Sequence, residues 1–310
     1  LLWSGDILYW YGMCGLIVYL FRKLSPPRLL ALGLLAIAVA SALWLFFGWS
    51  MQFWPPEVLK EFTQGRWQPP PELVAREVAA YRGSWLEQMA LRVPGAFAFQ
   101  TFLFLILGLW RAGGLMLVGM ALFKWGVFSA KRSPVLYLAL VAAAVLVGIP
   151  TILYGVHRNF AAGWDVRYSF FFGPQFNYWA SILVSLGWVS LVMLACQKPA
   201  LAPFTRPFAA VGQMAFTNYL LQTIICTTIF YGHGFGQFGQ VARVGQIALV
   251  AAVWAFQLIV SPLWLRYFLF GPLEWLWRSL TYLRFQPIRR QLLRGVGGSG
   301  LVGSGFSPAC

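Results

Sequence analysis

The sequence predicts an all-α, polytopic transmembrane helix bundle with about seven membrane spans. Three observations predict this fold. Hydrophobic residues make up 60% of the chain and charged residues only 10%, too few charges to cover the surface of a water-soluble domain of this length. Long apolar stretches recur along the chain, and lipid can surround them because a helix satisfies its own backbone polar groups. Basic residues collect at alternate ends of these stretches, as topology signals do.

The predicted spans are the long apolar stretches taken in order. The third stretch is long for one untilted span and carries Arg111 well inside it, so it is either one tilted or kinked helix or two short pieces. As one span, it leaves the basic residues that follow it on the same side as Arg22 and Lys23, which favours one span. The predicted spans cover about residues 7–21, 29–53, 94–123, 134–154, 176–195, 208–231 and 244–265.

Several segments are predicted to lie outside the bilayer. Residues 57–92 form the longest polar segment, which we expect to be external, with an amphipathic helix over 72–92 near the membrane surface. Residues 272–282 are predicted to form a short helix on the inner surface. The transmembrane domain is therefore expected to cover residues 1–294, and the Gly/Ser-rich residues 295–310 are predicted to be a disordered tail.

The formal net charge is +15, and the placement of the basic residues explains it. They lie beside the apolar stretches, so the charge marks topology and does not indicate a nucleic-acid partner. The more basic side of the predicted spans is expected to be cytoplasmic. This arrangement puts the C-terminus in the cytoplasm and makes membrane lipids the first expected partners.

Two charged residues in or beside the spans are candidate site residues, because ionisable groups at membrane depth are costly. Asp6 stands where the first span begins, and it either caps the helix N-terminus or lines a polar site. Arg111 precedes Phe123 by 12 residues, which is about 18 Å along a helix, farther than its side chain reaches. Arg111 is therefore either a clamp for an anionic group or one partner of a structural ion pair.

Polar residues in and after the later spans are further candidates. Asn218 and Gln222 are four residues apart in the sixth span and share a helix face. Such amides either bond neighbouring helices together or line a substrate tunnel. His157 lies in a polar patch after the fourth span, and it is the stronger candidate base of the two histidines.

The other motifs indicate little chemistry. His233 lies in a glycine-rich loop that contains the pattern GxGxxG. That pattern binds dinucleotides when it follows a strand, and here it follows a membrane span, so it predicts a turn. The sequence contains no HExxH, GxSxG or P-loop pattern, so zincin, serine-hydrolase and NTPase functions lack support. No metal site is predicted, and the sequence identifies no cofactor.

Four separated motifs resemble the YeiB-like family of bacterial inner-membrane proteins, which is catalogued as domain of unknown function 418. They occur in the family's order and include Asp6, Arg111, Asn218 and Gln222. Family members carry further helices before the first motif, so we expect this chain to be the C-terminal part of a longer protein. The motifs are WSGDIL at 3–8, WRAGGLM at 110–116, GQMAFTNYLLQTIICTTIFY at 212–231 and FGPLEWLWR at 270–278.

The resemblance also implies a function. The family is distantly similar to transmembrane acyltransferases, which pass an acyl group from a cytosolic carrier to an acceptor across the bilayer. In such an enzyme Arg111, Asn218 and Gln222 would line the tunnel, and Asp6 or His157 would act as the catalytic group near its outer mouth.

The resemblance implies partners as well. Glu274 and Arg278, on the predicted inner surface helix, are expected to contact an acyl carrier. The alternative function is a transporter of a small anionic or amphipathic solute, in which the same residues form the binding site. A second copy of the chain is a further partner that the sequence leaves open.

Overall fold

The computed structural model describes residues 5–290, which fold into helices joined by short loops. Within this range no strand forms, and Phe268 and Arg289 make one isolated β-bridge. The helices are α1 (Leu8–Tyr19), α2 (Pro26–Ser50), α3 (Pro56–Phe62), α4 (Pro71–Arg82), α5 (Trp85–Lys124), α6 (Pro134–Ala161), α7 (Val166–Ser169), α8 (Pro174–Cys196), α9 (Ala202–Gln213), α10 (Ala215–Phe230), α11 (Arg243–Tyr267) and α12 (Pro272–Thr281).

Over the described residues, five helical segments are long and apolar enough to cross a membrane. The shorter apolar helices α1 and α10 accompany them. The predicted all-α polytopic fold is confirmed, and the third apolar stretch lies in one continuous helix, α5. The five segments are Pro26–Phe53, Trp85–Lys124, Pro134–Ala161, Val166–Cys196 and Arg243–Tyr267.

The prediction of one continuous amphipathic helix over 72–92 is wrong. The structure divides it into α4 and the first turns of α5, with a break at Gly83 and Ser84. The Ser84 backbone N–H donates to the Glu87 carboxylate (2.6 Å), and the Glu87 N–H donates to the Ser84 hydroxyl (3.4 Å). This reciprocal pair is a capping box, which starts a new helix at Trp85.

The predicted sixth span, over 208–231, is also divided. Its first part belongs to α9 and its second part to α10, and the backbone bends at Met214 (φ −111°, ψ 30°). The Thr217 N–H, in the first turn of α10, donates to the carboxylate of Glu274 (3.0 Å). A new helix can begin here because an acceptor outside the helix satisfies one of its first N–H groups.

The described residues form two compact units: the first unit contains residues 5–77 and 89–197, and the second contains 78–88 and 198–290. In the first unit, α2 and α5 touch backbone to backbone. A Cβ atom added to Gly33 would lie 2.7 Å from the Gly114 carbonyl oxygen, and one added to Gly114 would lie 2.8 Å from that of Gly33. These two glycines therefore set how closely the helices approach.

Helix α1 packs against α5 through an aromatic contact. The Trp10 ring stacks on Phe99 with centroids 4.2 Å apart, and its indole N–H donates to the Phe99 carbonyl (3.1 Å). A buried apolar cluster joins α1, α2 and α5, so these three helices form one packed group. Its members are Val18, Leu29, Leu117 and Ala121.

In the second unit, α9 and α11 pack through Ala210, Met214 and Leu265. The glycine-rich loop after α10 is the predicted turn, since the N–H groups of Gly234 and Gly236 both donate to the Tyr231 carbonyl (3.0 Å each).

Candidate functional site

Arg111 is held by two side chains of α8. Its guanidinium carbon lies 3.8 Å from the centre of the Tyr178 ring, and its Nη2 donates to the Ser181 hydroxyl (3.1 Å). Tyr178 is fixed in turn, because its hydroxyl donates to the Ile37 carbonyl of α2 (2.8 Å). A ring beneath a guanidinium attracts it electrostatically, so α8 and α2 together position this cation.

The second terminal nitrogen of Arg111 is the unusual group. Nη1 is buried and has no hydrogen-bond partner within the described part of the chain. Arg111 also lines a cavity of about 400 Å³. The other residues on its wall are Ile7, Trp10, Tyr11, Ala112, Leu115 and Met116.

This geometry bears on the two interpretations of Arg111. Its partners among the described residues are a ring and a hydroxyl, and no carboxylate is among them. Leaving a buried donor unpaired costs about 1–3 kcal/mol, and more for a charged group. The guanidinium charge therefore has no counter-charge among the described residues, and an anion bound beside Arg111 would supply one.

Asp6 lies at the start of α1, where its carboxylate accepts the Leu8 N–H (2.9 Å). This bond spans two residues, as in an Asx turn, whereas the N-cap position of α1 is Ile7, without a side-chain cap. Asp6 is not on the wall of the Arg111 cavity, although its neighbour Ile7 is. Both residues belong to the first unit.

The prediction that His157 lies in a loop after the fourth span is wrong. It lies within α6, which extends to Ala161, and its side chain is exposed. The helix continues because the polar residues that follow the apolar stretch are also compatible with helix. The structure thus leaves His157 outside the Arg111 cavity.

Asn218 and Gln222 lie in a hydrogen-bonded network with α11 in the second unit. The buried Asn218 amide donates to the Val211 carbonyl (3.1 Å) and to the Ser261 hydroxyl (3.0 Å). The Gln222 side-chain amide donates to the side-chain Oε1 of Gln257 (2.7 Å), and the Gln257 Nε2 donates to the Asn218 backbone carbonyl (2.9 Å). The network joins α10 to both α9 and α11 through paired polar groups, which the interhelical interpretation predicted.

Glu274 and Arg278 both lie on α12, in different surroundings. The Glu274 carboxylate accepts the backbone N–H and the hydroxyl of Thr217, and the same hydroxyl accepts the Leu273 N–H (3.1 Å). Arg278 is exposed and lies over the Phe270 ring at 4.4 Å. Glu274 thus ties α12 to α10, while Arg278 stays available to a partner.

Several residues of these sites were not predicted from the sequence. The sequence signal that selected Asn218 and Gln222 is a pair of polar residues four apart in an apolar stretch. The same signal occurs at Gln257 and Ser261, so it could have identified them. Tyr178 and Ser181 carried no such signal, because aromatic and hydroxyl residues are common in membrane helices.

A histidine site in the second unit was also missed. His233 Nδ1 lies 3.3 Å from the Oε1 of Gln88. The Gln88 side chain is fully buried, and its Nε2 donates to the Gly83 carbonyl (2.9 Å). The rings of Trp85 and Tyr231 lie beside the imidazole at 5.4 and 5.8 Å. Among the described residues no group of three or more metal-ligating side chains occurs.

The fold and these polar sites define a polytopic α-helical membrane protein, and comparison with known proteins gives its family. A family model described as "Protein of unknown function (DUF418)" matches residues 122–284. The chain therefore belongs to the DUF418 family, and the YeiB-like resemblance is confirmed. No solved structure matches the chain.

Two of the relatives are bacterial proteins described as uncharacterized. The chain is 31% identical over 287 residues to the uncharacterized protein YeiB of Escherichia coli (strain K12), covering 91% of this chain and 71% of that protein. It is 30% identical over 308 residues to the uncharacterized protein YxaH of Bacillus subtilis (strain 168), covering 94% and 69%. These relatives and the apolar helices make the chain a bacterial membrane protein.

Proposed function

We propose that this protein is an acyltransferase-like enzyme of the bacterial inner membrane, and that Arg111 binds the anionic end of its acyl substrate. One observation carries the proposal. The Nη1 atom of Arg111 is buried, has no partner among the described residues and belongs to a side chain on the wall of a cavity of about 400 Å³.

An anionic ligand suits this site for energetic reasons. A charged side chain at the centre of a membrane helix costs about 2.5–3.5 kcal/mol on insertion scales, so a counter-charge in the cavity stabilises Arg111. Tyr178 and Ser181 already hold the guanidinium in place. Binding therefore loses little side-chain entropy.

Acyl transfer itself makes further demands on the site. An acceptor oxygen forms a bond to the acyl carbon while the C–S bond of a thioester donor breaks, and the hydroxyl proton passes to the departing thiolate. Negative charge develops on the carbonyl oxygen in this step, and its stabilisation requires a hydrogen-bond donor other than Arg111, which binds the anionic end of the substrate. Of the two candidate acid–base groups, Asp6 is better placed, because it adjoins the cavity residue Ile7.

The acyl donor is proposed to come from a cytosolic carrier that contacts α12. Glu274 is engaged with Thr217, so the proposed contact relies on the exposed Arg278. The exposed side chains of Leu276 and Trp277 lie on the same helix. A cation beside apolar groups is a suitable surface for an acidic carrier and for lipid headgroups.

The test is ligand binding by the protein in nanodiscs, with palmitoyl-CoA as the probe. We expect Arg111→Ala to weaken binding at least tenfold, because the substituted protein lacks the cation. Arg158→Ala is the matched control, since Arg158 is an exposed arginine of α6 in the same unit, and it should bind as the wild type does. Equal binding by the wild type and Arg111→Ala would overturn the proposal.

Transport of an anionic or amphipathic solute is the second candidate. It is favoured by the π-helical segment Phe99–Gly108, which ends three residues before Arg111, because π-segments are frequent at functional sites and interrupt regular helix bonding. Proteoliposomes separate the two functions: uptake of labelled palmitate without a new ester supports transport, and an acylated acceptor supports the enzyme.

The proposal includes the orientation in the membrane. The C-terminus is cytoplasmic, since the basic residues that follow α11 mark the inner side. A phosphatase reporter fused after Arg290 should be inactive, and a fluorescent protein fused there should fluoresce. An active phosphatase at this position would reverse the topology.

A further inference from the structure

Two loops of the first unit carry a group of exposed cations. The loop after α1 covers residues 20–25, and the loop after α5 covers residues 125–133. Together with the adjoining helix ends, the two loops carry six exposed basic side chains. We call these residues the basic cluster: Arg22, Lys23, Arg28, Lys124, Lys131 and Arg132.

Lys124 joins the two loops. Its Nζ donates to the backbone carbonyls of Arg22 (2.6 Å) and Leu24 (2.7 Å). The loop after α5 is also held by the end of α8, because the side-chain amide of Gln197 donates to the Arg132 carbonyl (2.8 Å). The two loops therefore form one surface with a fixed backbone.

Two arginines of the basic cluster are held by the loops and the helix end beside them. The Arg22 guanidinium carbon lies 3.9 Å from the centre of the Tyr19 ring, and its Nη1 donates to the Tyr19 carbonyl (3.3 Å). The Arg132 Nε and Nη2 both donate to the Trp125 carbonyl. Part of the entropy that a long side chain loses on binding is therefore already lost in the folded protein.

No carboxylate accompanies these cations. Residues 7–56 and 88–164 contain no Asp or Glu, so the length of a helix separates the two loops from the nearest acids along the chain. The shortest of these helices, α1, has 12 residues and is about 18 Å long, whereas physiological salt screens exposed charges within about 8 Å. Glu274, farther along the chain, already accepts two bonds from Thr217. A bound anion would relieve the mutual repulsion of the basic cluster.

Exposed apolar side chains stand beside the basic cluster. Leu20 is 74% exposed and Phe123, which directly precedes Lys124, is 70% exposed. Lipid hydrocarbon can cover these groups, whereas contact with water costs free energy. Tyr19 and Trp125 are of the residue types that concentrate at the boundary between hydrocarbon and water. The basic cluster therefore lies at this boundary, where the phosphates of phospholipids also lie.

We infer that the basic cluster binds the headgroup of an anionic phospholipid, such as phosphatidylglycerol, whose acyl chains lie against Leu20 and Phe123. A topology signal requires only positive charge on one side of the membrane. Here two loops bring the cations together and backbone carbonyls hold three of them, an arrangement suited to phosphate. A soluble phosphate would leave the exposed apolar side chains uncovered. This site is independent of the proposed enzyme activity.

The first experiment measures lipid binding to the full chain by native mass spectrometry in detergent. Dioleoyl phosphatidylglycerol and dioleoyl phosphatidylcholine are the probes, because they share their acyl chains and differ in net charge. The wild type should bind the anionic lipid at least tenfold more tightly. Equal affinity for both lipids would overturn the inference. Displacement of phosphatidylglycerol by an equal concentration of glycerol 3-phosphate would also overturn it, because the ligand would then be a soluble phosphate.

A triple variant tests the basic cluster itself. Lys23→Gln/Arg28→Gln/Lys131→Gln removes three of the six charges. These three side chains are exposed, and the three that bond to backbone carbonyls stay in place. Each basic residue near an anionic lipid contributes to its attraction, so the affinity for phosphatidylglycerol should fall at least tenfold.

A second triple variant is the matched control, because it removes the same number of charges elsewhere. Arg266→Gln/Arg284→Gln/Arg290→Gln replaces three exposed arginines of the second unit. This variant should bind phosphatidylglycerol as the wild type does. An equal loss of affinity in the two triple variants would show that total charge determines binding, and the basic cluster would then not be a site.

Thermal unfolding separates a binding role from a structural one. Without lipid, the variant of Lys23, Arg28 and Lys131 should unfold at or above the wild-type temperature, because it has fewer repelling charges. With phosphatidylglycerol, the wild type should unfold at the higher temperature, since a ligand that binds the folded state stabilises it. If phosphatidylglycerol raises both unfolding temperatures equally, the inference is wrong.

Discussion

The guanidinium carbon of Arg111 lies 3.8 Å from the centre of the Tyr178 ring, although the two residues are on different helices. The ring covers one face of the cation, and the Ser181 hydroxyl binds one of its edges. The other terminal nitrogen, Nη1, is buried and unpaired within the described residues. Tyr178 is thus a positioning residue for the proposed anion site.

Replacing Tyr178 should separate the effect of its ring from that of its hydroxyl. Tyr178→Leu removes the cation–π contact, which contributes about 0.5–2 kcal/mol, so palmitoyl-CoA affinity should fall several-fold. Tyr178→Phe keeps the ring and loses the hydroxyl, which donates to Ile37 and also interacts with Arg111, so its affinity should fall less than that of Tyr178→Leu. Equal loss in the two variants, measured in nanodiscs, would show that the ring does not position Arg111.

Two adjacent glycines of α5 should respond in opposite ways to alanine. In Gly114→Ala the new Cβ would lie 2.8 Å from the Gly33 carbonyl oxygen, and such overpacking costs about 1–3 kcal/mol. In Gly113→Ala the nearest atom is the Cys14 sulfur at 3.9 Å, and alanine favours helix by about 0.5–1 kcal/mol. Thermal unfolding in detergent micelles should therefore show Gly114→Ala below the wild type and Gly113→Ala at or above it.

The amide network of α10 and α11 gives a test of its structural role. Asn218→Ala loses two donor bonds and Gln222→Ala loses one, and such bonds in membrane helices contribute about 0.6 kcal/mol on average. Asn218→Ala should therefore lower the unfolding temperature more. A double-mutant cycle of Asn218→Ala with Ser261→Ala should show coupling. If both amide variants keep their stability and lose palmitoyl-CoA binding, the residues line a substrate site instead.

Glu274 should matter for the stability of the second unit. Glu274→Ala removes the acceptor for the first turn of α10, and loss of a helix cap costs about 1 kcal/mol. Arg278→Ala, on the same helix, removes an exposed side chain and should change the unfolding temperature little. If Arg278→Ala lowers the unfolding temperature more than Glu274→Ala does, the bond from Thr217 to Glu274 does not stabilise the start of α10.

Most of the candidate site residues were predicted from one physical rule, that burying a polar group in lipid costs free energy. The rule selected Arg111 and the pair Asn218 and Gln222, and the structure places hydrogen-bonding partners around each of them. It could not locate His157, because a helix ends where its capping and packing end, and hydropathy alone does not report that point. The local S-x-x-E pattern at Ser84 would have predicted the start of α5.

The sequence by itself determined that this chain is helical and crosses a membrane, because the transfer of a segment into lipid depends on that segment's own composition and on the charges at its ends. Only the tertiary structure decided what each polar residue meets. Arg111 and Ser181 are 70 residues apart in the chain, and they meet because Tyr178 bonds to α2 while Gly33 and Gly114 let α2 and α5 touch. The contact between Arg111 and Ser181 depends on the rotation of each helix about its axis and on close backbone packing. No local sequence pattern encodes either of these.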